Sequence, residues 1–130
     1  MMSPAERTRL IEDFIGYYAK QPADPSAPQD MDIPEFWAIE ALDEAVHNNP
    51  ELAWSVILEL AGLVKSQTAI GCLAAGPLED IIRYHGVEFV DRIEIEAKRN
   101  ASFRYLLGGV WPSEDPDVWS RVEAVRVESW

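Results

Sequence analysis

Apolar residues recur at helical spacing along most of this chain and alternate at strand spacing almost nowhere. Leu10, Ile11, Phe14, Ile15 and Tyr18 share one helix face. Ahead of them, Ser3-Pro4-Ala5-Glu6 has the form of a capping box with proline at the first helical position. The spacing predicts a first helix from Pro4 to Ala19 or Lys20. Pro22, Pro25 and Pro28 then forbid a regular helix over residues 21–31 and favour an extended surface linker. Asp32-Ile33-Pro34-Glu35 repeats the capping arrangement before a second helix with the stripe Trp37, Ala38, Ala41, Leu42 and Ala45. Asn49-Pro50 opens a third, whose Ala53, Val56, Ile57, Leu60, Ala61 and Val64 form one buried face, widened by Trp54 and Leu58.

Shorter pieces follow. Gly71 to Ala75 reads as a brief helix ended by Gly76, and Pro77 opens the next, with Leu78, Ile81 and Ile82 inward and Gly86 as its stop. Phe89, Val90, Ile93 and Ala97 mark another helix, to about Asn100, and Phe103, Leu106 and Leu107 a last short turn. Gly108-Gly109 reads as a turn that tucks Trp111 against the core. Asp115-Pro116 caps a final helix with Val118, Trp119, Val122 and Val125. Val125-Arg126-Val127 is also compatible with a short strand. The expectation is an all-α fold: one domain over 1–130, a compact bundle of about six to eight short helices. Helices three to six resemble two antiparallel hairpins of the armadillo or HEAT kind, although no fixed period is visible.

Composition agrees with a folded chain. The apolar share is 48%, with five Trp in 130 residues, enough for a proper core. No apolar run approaches the roughly 20 residues that span a bilayer. The first residues lack a secretory profile, and the single Cys72 fits a reducing compartment, so a cytoplasmic location is expected.

Charge changes the picture most. The formal net charge is −12. Between Lys20 and Lys65 there is no Lys or Arg, yet nine carboxylates: Asp24, Asp30, Asp32, Glu35, Glu40, Asp43, Glu44, Glu51 and Glu59. Such a field repels nucleic acid and anionic membranes and attracts basic proteins. Asp32, Glu35 and Glu51 sit at helix starts, where carboxylates favour the positive helix end. Asp24, Asp30, Glu40, Asp43 and Glu44 are left for a partner. Glu114, Asp115 and Asp117 form a second acidic loop beside Trp119, a candidate interface anchor.

The run Leu73-Ala74-Ala75-Gly76-Pro77-Leu78-Glu79-Asp80-Ile81-Ile82 with His85-Gly86 resembles a signature of the bacterial domain-of-unknown-function family numbered 6869. Phe103-Arg104 with Leu107-Gly108-Gly109-Val110-Trp111, and Pro50-Glu51-Leu52-Ala53-Trp54, are similar to two more. The resemblance covers about residues 37 to 122, without the first helix and linker. It implies a small helical protein and carries no activity across.

Chemistry reads weaker than structure. Glu79, Asp80 and His85 offer acid, base or ligand groups, but separations of five and six residues keep His85 off a face shared with either acid at i,i+4. Helix-end electrostatics, and a Glu79–Arg83 pair, account for them. Gly108-Gly109 lacks the lysine of a phosphate loop. Cys72, among Ile70, Leu73 and Ala74, reads as a buried inert thiol. A zinc site needs more Cys and His than the chain provides, so no metal or other cofactor is expected. Trp130, as the last residue, has nothing in the sequence to fix it. The leading expectation is a non-enzymatic, acidic protein-binding module of immunity type, neutralising a basic toxin or effector such as a nuclease. The alternatives are a hydrolase-like enzyme using Glu79, Asp80 and His85, or a helical adaptor.

Overall fold

A computed structural model of the chain describes residues 2–22, 26–126 and 130. Among them the protein is all-α, with seven α-helices and one π-turn: α1 (Pro4–Ala19), α2 (Phe36–Asn48), α3 (Pro50–Leu63), α4 (Gln67–Leu73), the π-turn (Ala74–Leu78), α5 (Glu79–Arg99), α6 (Ala101–Leu107) and α7 (Pro116–Val125). No described helix is long and apolar enough to cross a membrane.

Most helix starts follow from local chemistry. Ser3 Oγ accepts from the Glu6 amide at 3.1 Å while the Glu6 side chain reaches back to the Ser3 amide. Asn49, Ser66, Asn100 and Asp115 cap α3, α4, α6 and α7 with their side-chain oxygens. The start of α2 differs from expectation. Asp32 does not cap it. A turn over residues 33–36 leads in, with the Phe36 amide donating to the Ile33 carbonyl at 3.1 Å, and no side chain caps the helix.

One cluster of buried side chains joins the helices, from Leu10, Ile11 and Phe14 of α1 to Val118 and Val122 of α7. Trp54 is its aromatic hub, against Phe89 and Phe103 with ring centroids 5.6 and 5.4 Å away. Helix α1 folds back onto α2 and α3: the Trp37 indole N–H donates to Asp13 at 2.6 Å, and Arg7 reaches Glu59 and the Ser55 hydroxyl.

The Gly76-Pro77 step does not end a helix. Proline lacks an amide hydrogen, so a regular α ladder cannot pass through it. The chain widens by one residue instead, and the Glu79 amide bonds to the Ala74 carbonyl five residues back. Helical backbone therefore runs from Gln67 to Arg99 without a loop, in place of two separate hairpins.

Gly86 is likewise no stop. It is buried inside α5, and a Cβ there would lie 2.9 Å from a Val118 methyl, so its role is to let α7 approach closely. The bend in α5 falls one residue earlier, at His85, with φ −133° and ψ 18°. There the ring meets the end of α2. Asn49, with φ −148° and ψ 68°, turns the chain out of that helix, so no backbone amide reaches the Val46 carbonyl. The His85 Nε2–H takes that place, donating to the Val46 carbonyl at 2.7 Å.

The C-terminal quarter departs from expectation twice. Trp111 points outward and is 73% exposed. Trp130 is the tryptophan that docks: its indole N–H donates to the Tyr105 carbonyl at 2.8 Å, and its ring stacks on Tyr105 at 5.2 Å. A Cβ on Gly109 would lie 2.5 Å from that ring, so only glycine leaves it room. Helix α7 runs through Val125 and Arg126 is extended; Val127, the end of the alternative strand, lies outside the described residues.

Candidate functional site

The acidic stretch divides once tertiary structure is in place. Three of its carboxylates meet bases drawn from outside it. Glu35 pairs with Lys20, Glu59 with Arg7 at 3.0 Å, and Glu51 takes a two-pronged grip from Arg92 at 2.6 and 2.8 Å. These contacts hold the Glu35 and Glu51 carboxyls below the usual range, chiefly through the hydrogen bonds from Lys20 and Arg92. Thus Glu35 and Glu51 are structural, but as inter-helix ties more than as helix-end charges.

The outer face of α2 receives no such base. Among the described residues, Glu40 and Glu44 are exposed and make no hydrogen bond or ion pair. Asp43 and His47, one helical turn apart, face the first turn of α5, where Asp80 sits. One donor atom from each of Asp43, His47 and Asp80 lies within 4.8 Å of the others. Burial pushes the Asp80 carboxyl up, and the charges of Asp43 and Glu79 push it further, against the pull of Arg83 and His47. The His47 ring packs on Tyr84 at 4.9 Å. Two carboxylates and an imidazole at this spacing can supply oxygen and nitrogen donors to a divalent cation, or a negative seat for an organic cation.

Beside Asp43 lies a cleft of about 290 Å³ between α1, α2 and the π-turn. Phe14, Tyr18, Phe36 and Ile39 form its apolar walls, Glu40 and Asp43 its acidic rim, and Cys72, Gly76 and Pro77 its other side. Cys72 is half-buried. Gln29 donates to its sulfur at 3.6 Å and Tyr18 contacts it. Burial, then the Cys72 thiol, push the Tyr18 phenol well up. A wider trough of about 610 Å³, bounded by Tyr18, Pro22 and Gln67, holds no carboxylate among the described residues.

The other residues singled out from the sequence scatter. Glu79, Asp80 and His85 do not converge. Glu79 accepts from the Trp111 amide at 2.8 Å and sits 4.0 Å from Arg83, Asp80 turns to α2, and His85 bonds Val46. Asp115 is occupied as the cap of α7, while Glu114 and Asp117 are exposed. Trp119 is half-buried, with the Arg126 guanidinium 4.9 Å over its ring, which leaves it poorly placed as an anchor. Asp30 accepts from the Asp32 amide at 2.9 Å. Asp24 lies outside the described residues.

One neighbour of the acidic face escaped the sequence reading. Tyr84 is 54% exposed on α5, with its ring against His47. Its place one turn after Asp80 was visible, but the docking of α5 on α2 that brings it to His47 was not.

Comparison with curated proteins and with solved structures returned no match. A family model does match, over residues 25–130, so the likeness reaches back into the proline linker and on to the docked Trp130, beyond the region the signatures marked. The chain belongs to that family of unknown function, DUF6869.

Proposed function

We propose that this protein is a protein-binding module that docks a basic partner on the outer face of α2 and the adjoining first turns of α5. The observation that carries this reading is the allocation of bases. Arg7, Lys20 and Arg92 are engaged by Glu59, Glu35 and Glu51, while Glu40 and Glu44 meet no base. Surface carboxylates left unmatched near exposed Tyr84, whose ring packs on His47, combine an aromatic contact with a charged rim, a common interface anatomy. Electrostatic complementarity of this kind speeds encounter and selects against acidic competitors.

An immunity-type protein that covers a cationic toxin or effector, a nuclease among them, fits this physics: the carboxylates stand where nucleic-acid phosphates would. The lone cysteine, bonded to no other, supports a reducing, cytoplasmic setting.

The test is co-purification with the product of the adjoining gene across a salt series. Binding is expected to weaken as salt rises and to be lost when Glu40, Asp43 and Glu44 are all replaced by Lys. Salt-insensitive binding that survives the triple reversal would overturn the electrostatic reading and favour an adaptor.

A further inference from the structure

Resting on the reading above, we infer that the cleft between α1, α2 and the π-turn is an anchor site for one long cationic side chain, lysine or arginine, of the partner. Such side chains carry an apolar stem and a charged head, and they bury the first while keeping the second in a polar setting. The cleft offers both environments in that order. Phe14, Tyr18, Phe36 and Ile39 line its walls, and Glu40 and Asp43 stand at its rim. The two carboxylates lie three residues apart on α2, hence on one helix face. Among the described residues no Lys or Arg lines the cleft. At about 290 Å³ it stands at the lower end of ligand-pocket sizes, which begin near 300 Å³.

Other occupants fit less well. An anion would meet the two rim carboxylates. A purely apolar group would fill the walls but help desolvate those carboxylates without compensation. A divalent cation would draw on Asp43, His47 and Asp80 and leave the aromatic walls unused. A cation on a four-atom stem satisfies walls and rim together.

The experiment is an NMR titration of the full chain with Nα-acetyl-lysine methylamide and its arginine counterpart. The Nα-acetyl-norleucine and Nε-acetylated lysine analogues serve as uncharged controls. The charged probes are expected to shift the amides of Ile39, Asp43 and Gly76. The controls should bind at least about fivefold more weakly, equivalent to about 1 kcal/mol. Glu40→Gln with Asp43→Asn, a surface change, should weaken the charged probes by a similar factor. Gly76→Phe should block them, because Gly76 lines the cleft and a Cβ there meets nothing within 4 Å.

Norleucine binding as well as lysine, or shifts that map away from the cleft, would overturn the anchor. With the adjoining gene product, Gly76→Phe is expected to weaken binding. If it does not, while the triple lysine reversal abolishes binding, the anchor is wrong and the acidic-face reading stands. If the reversal leaves binding unchanged, the acidic-face reading falls, and the probe titration still decides what the cleft accepts.

Discussion

Helix α5 has two flanks, and they are built on opposite rules. On the α7 side, Gly86 admits Val118 at close range, and Arg121 spans Asp91 and Glu94. Those contacts hold the Glu94 carboxyl below the usual range. On the α2 side, the hydrogen bond from His85 to Val46 lies beneath a surface where Asp43 and Asp80 face one another, with Glu40 and Glu44 beyond them. Both flanks are rich in acid. They differ in how the arginines are used: Arg121 bridges two acids on the α7 side, whereas Arg83 on the α2 side stands 4.0 Å from Glu79. A negative excess in composition becomes a directional surface only when bases are spent more fully on one side than on the other.

Breaking the α7 flank should have the largest effect. Gly86→Leu drives a side chain into Val118 and is expected to cost about 1–3 kcal/mol or more of stability, read by urea denaturation. On the α2 flank, His85→Leu leaves the Val46 carbonyl with neither an amide nor an imidazole. A loss of about 1–3 kcal/mol is expected, and His85→Gln should recover part of it.

The surface of the α2 flank behaves in the opposite sense. Because the Asp80 carboxyl is raised in the folded state, the folded protein binds more protons than the unfolded chain between the two values. Stability therefore falls as pH rises through that window, and the penalty persists at neutral pH. Asp80→Asn is expected to raise the melting temperature at pH 7, a gain that vanishes below about pH 3.9, the ordinary Asp value. The smallest effect is expected from Arg121→Ala, since Arg121 and its partner Asp91 are solvent-exposed and Glu94 is only half-buried: a slight loss at low salt that shrinks at high salt. If Asp80→Asn destabilised the protein and Arg121→Ala proved severe, the contrast between the flanks would be reversed.

Much of this fold was legible because helix starts are local. Proline and a short polar residue announce α1, α3 and α7, and the apolar stripe of α3 reads directly as buried residues. The middle was not, because Gly76-Pro77 usually punctuates, and only packing on both sides makes it continue as a π-turn. Gly86 misled for a related reason: glycine at a helix end and glycine under a crossing helix look alike in sequence. The acidic stretch itself was visible; the i,i+4 spacing of Asp43 and His47 was in the chain too, but nothing there marked it out. Which carboxylates would be neutralised was not visible, since Arg7 and Arg92 lie 52 and 41 residues from their partners. Asp80 joined the face only through the docking of α5 on α2.

The bond between His85 and the Val46 carbonyl has an evolutionary corollary. Asn49 leaves the helix before a backbone amide can reach that carbonyl, so position 85 must keep a side chain that donates. A lineage that lengthens α2 by a turn supplies an amide instead and releases position 85 to drift. Among relatives, a donor at position 85 should therefore go with the break at position 49.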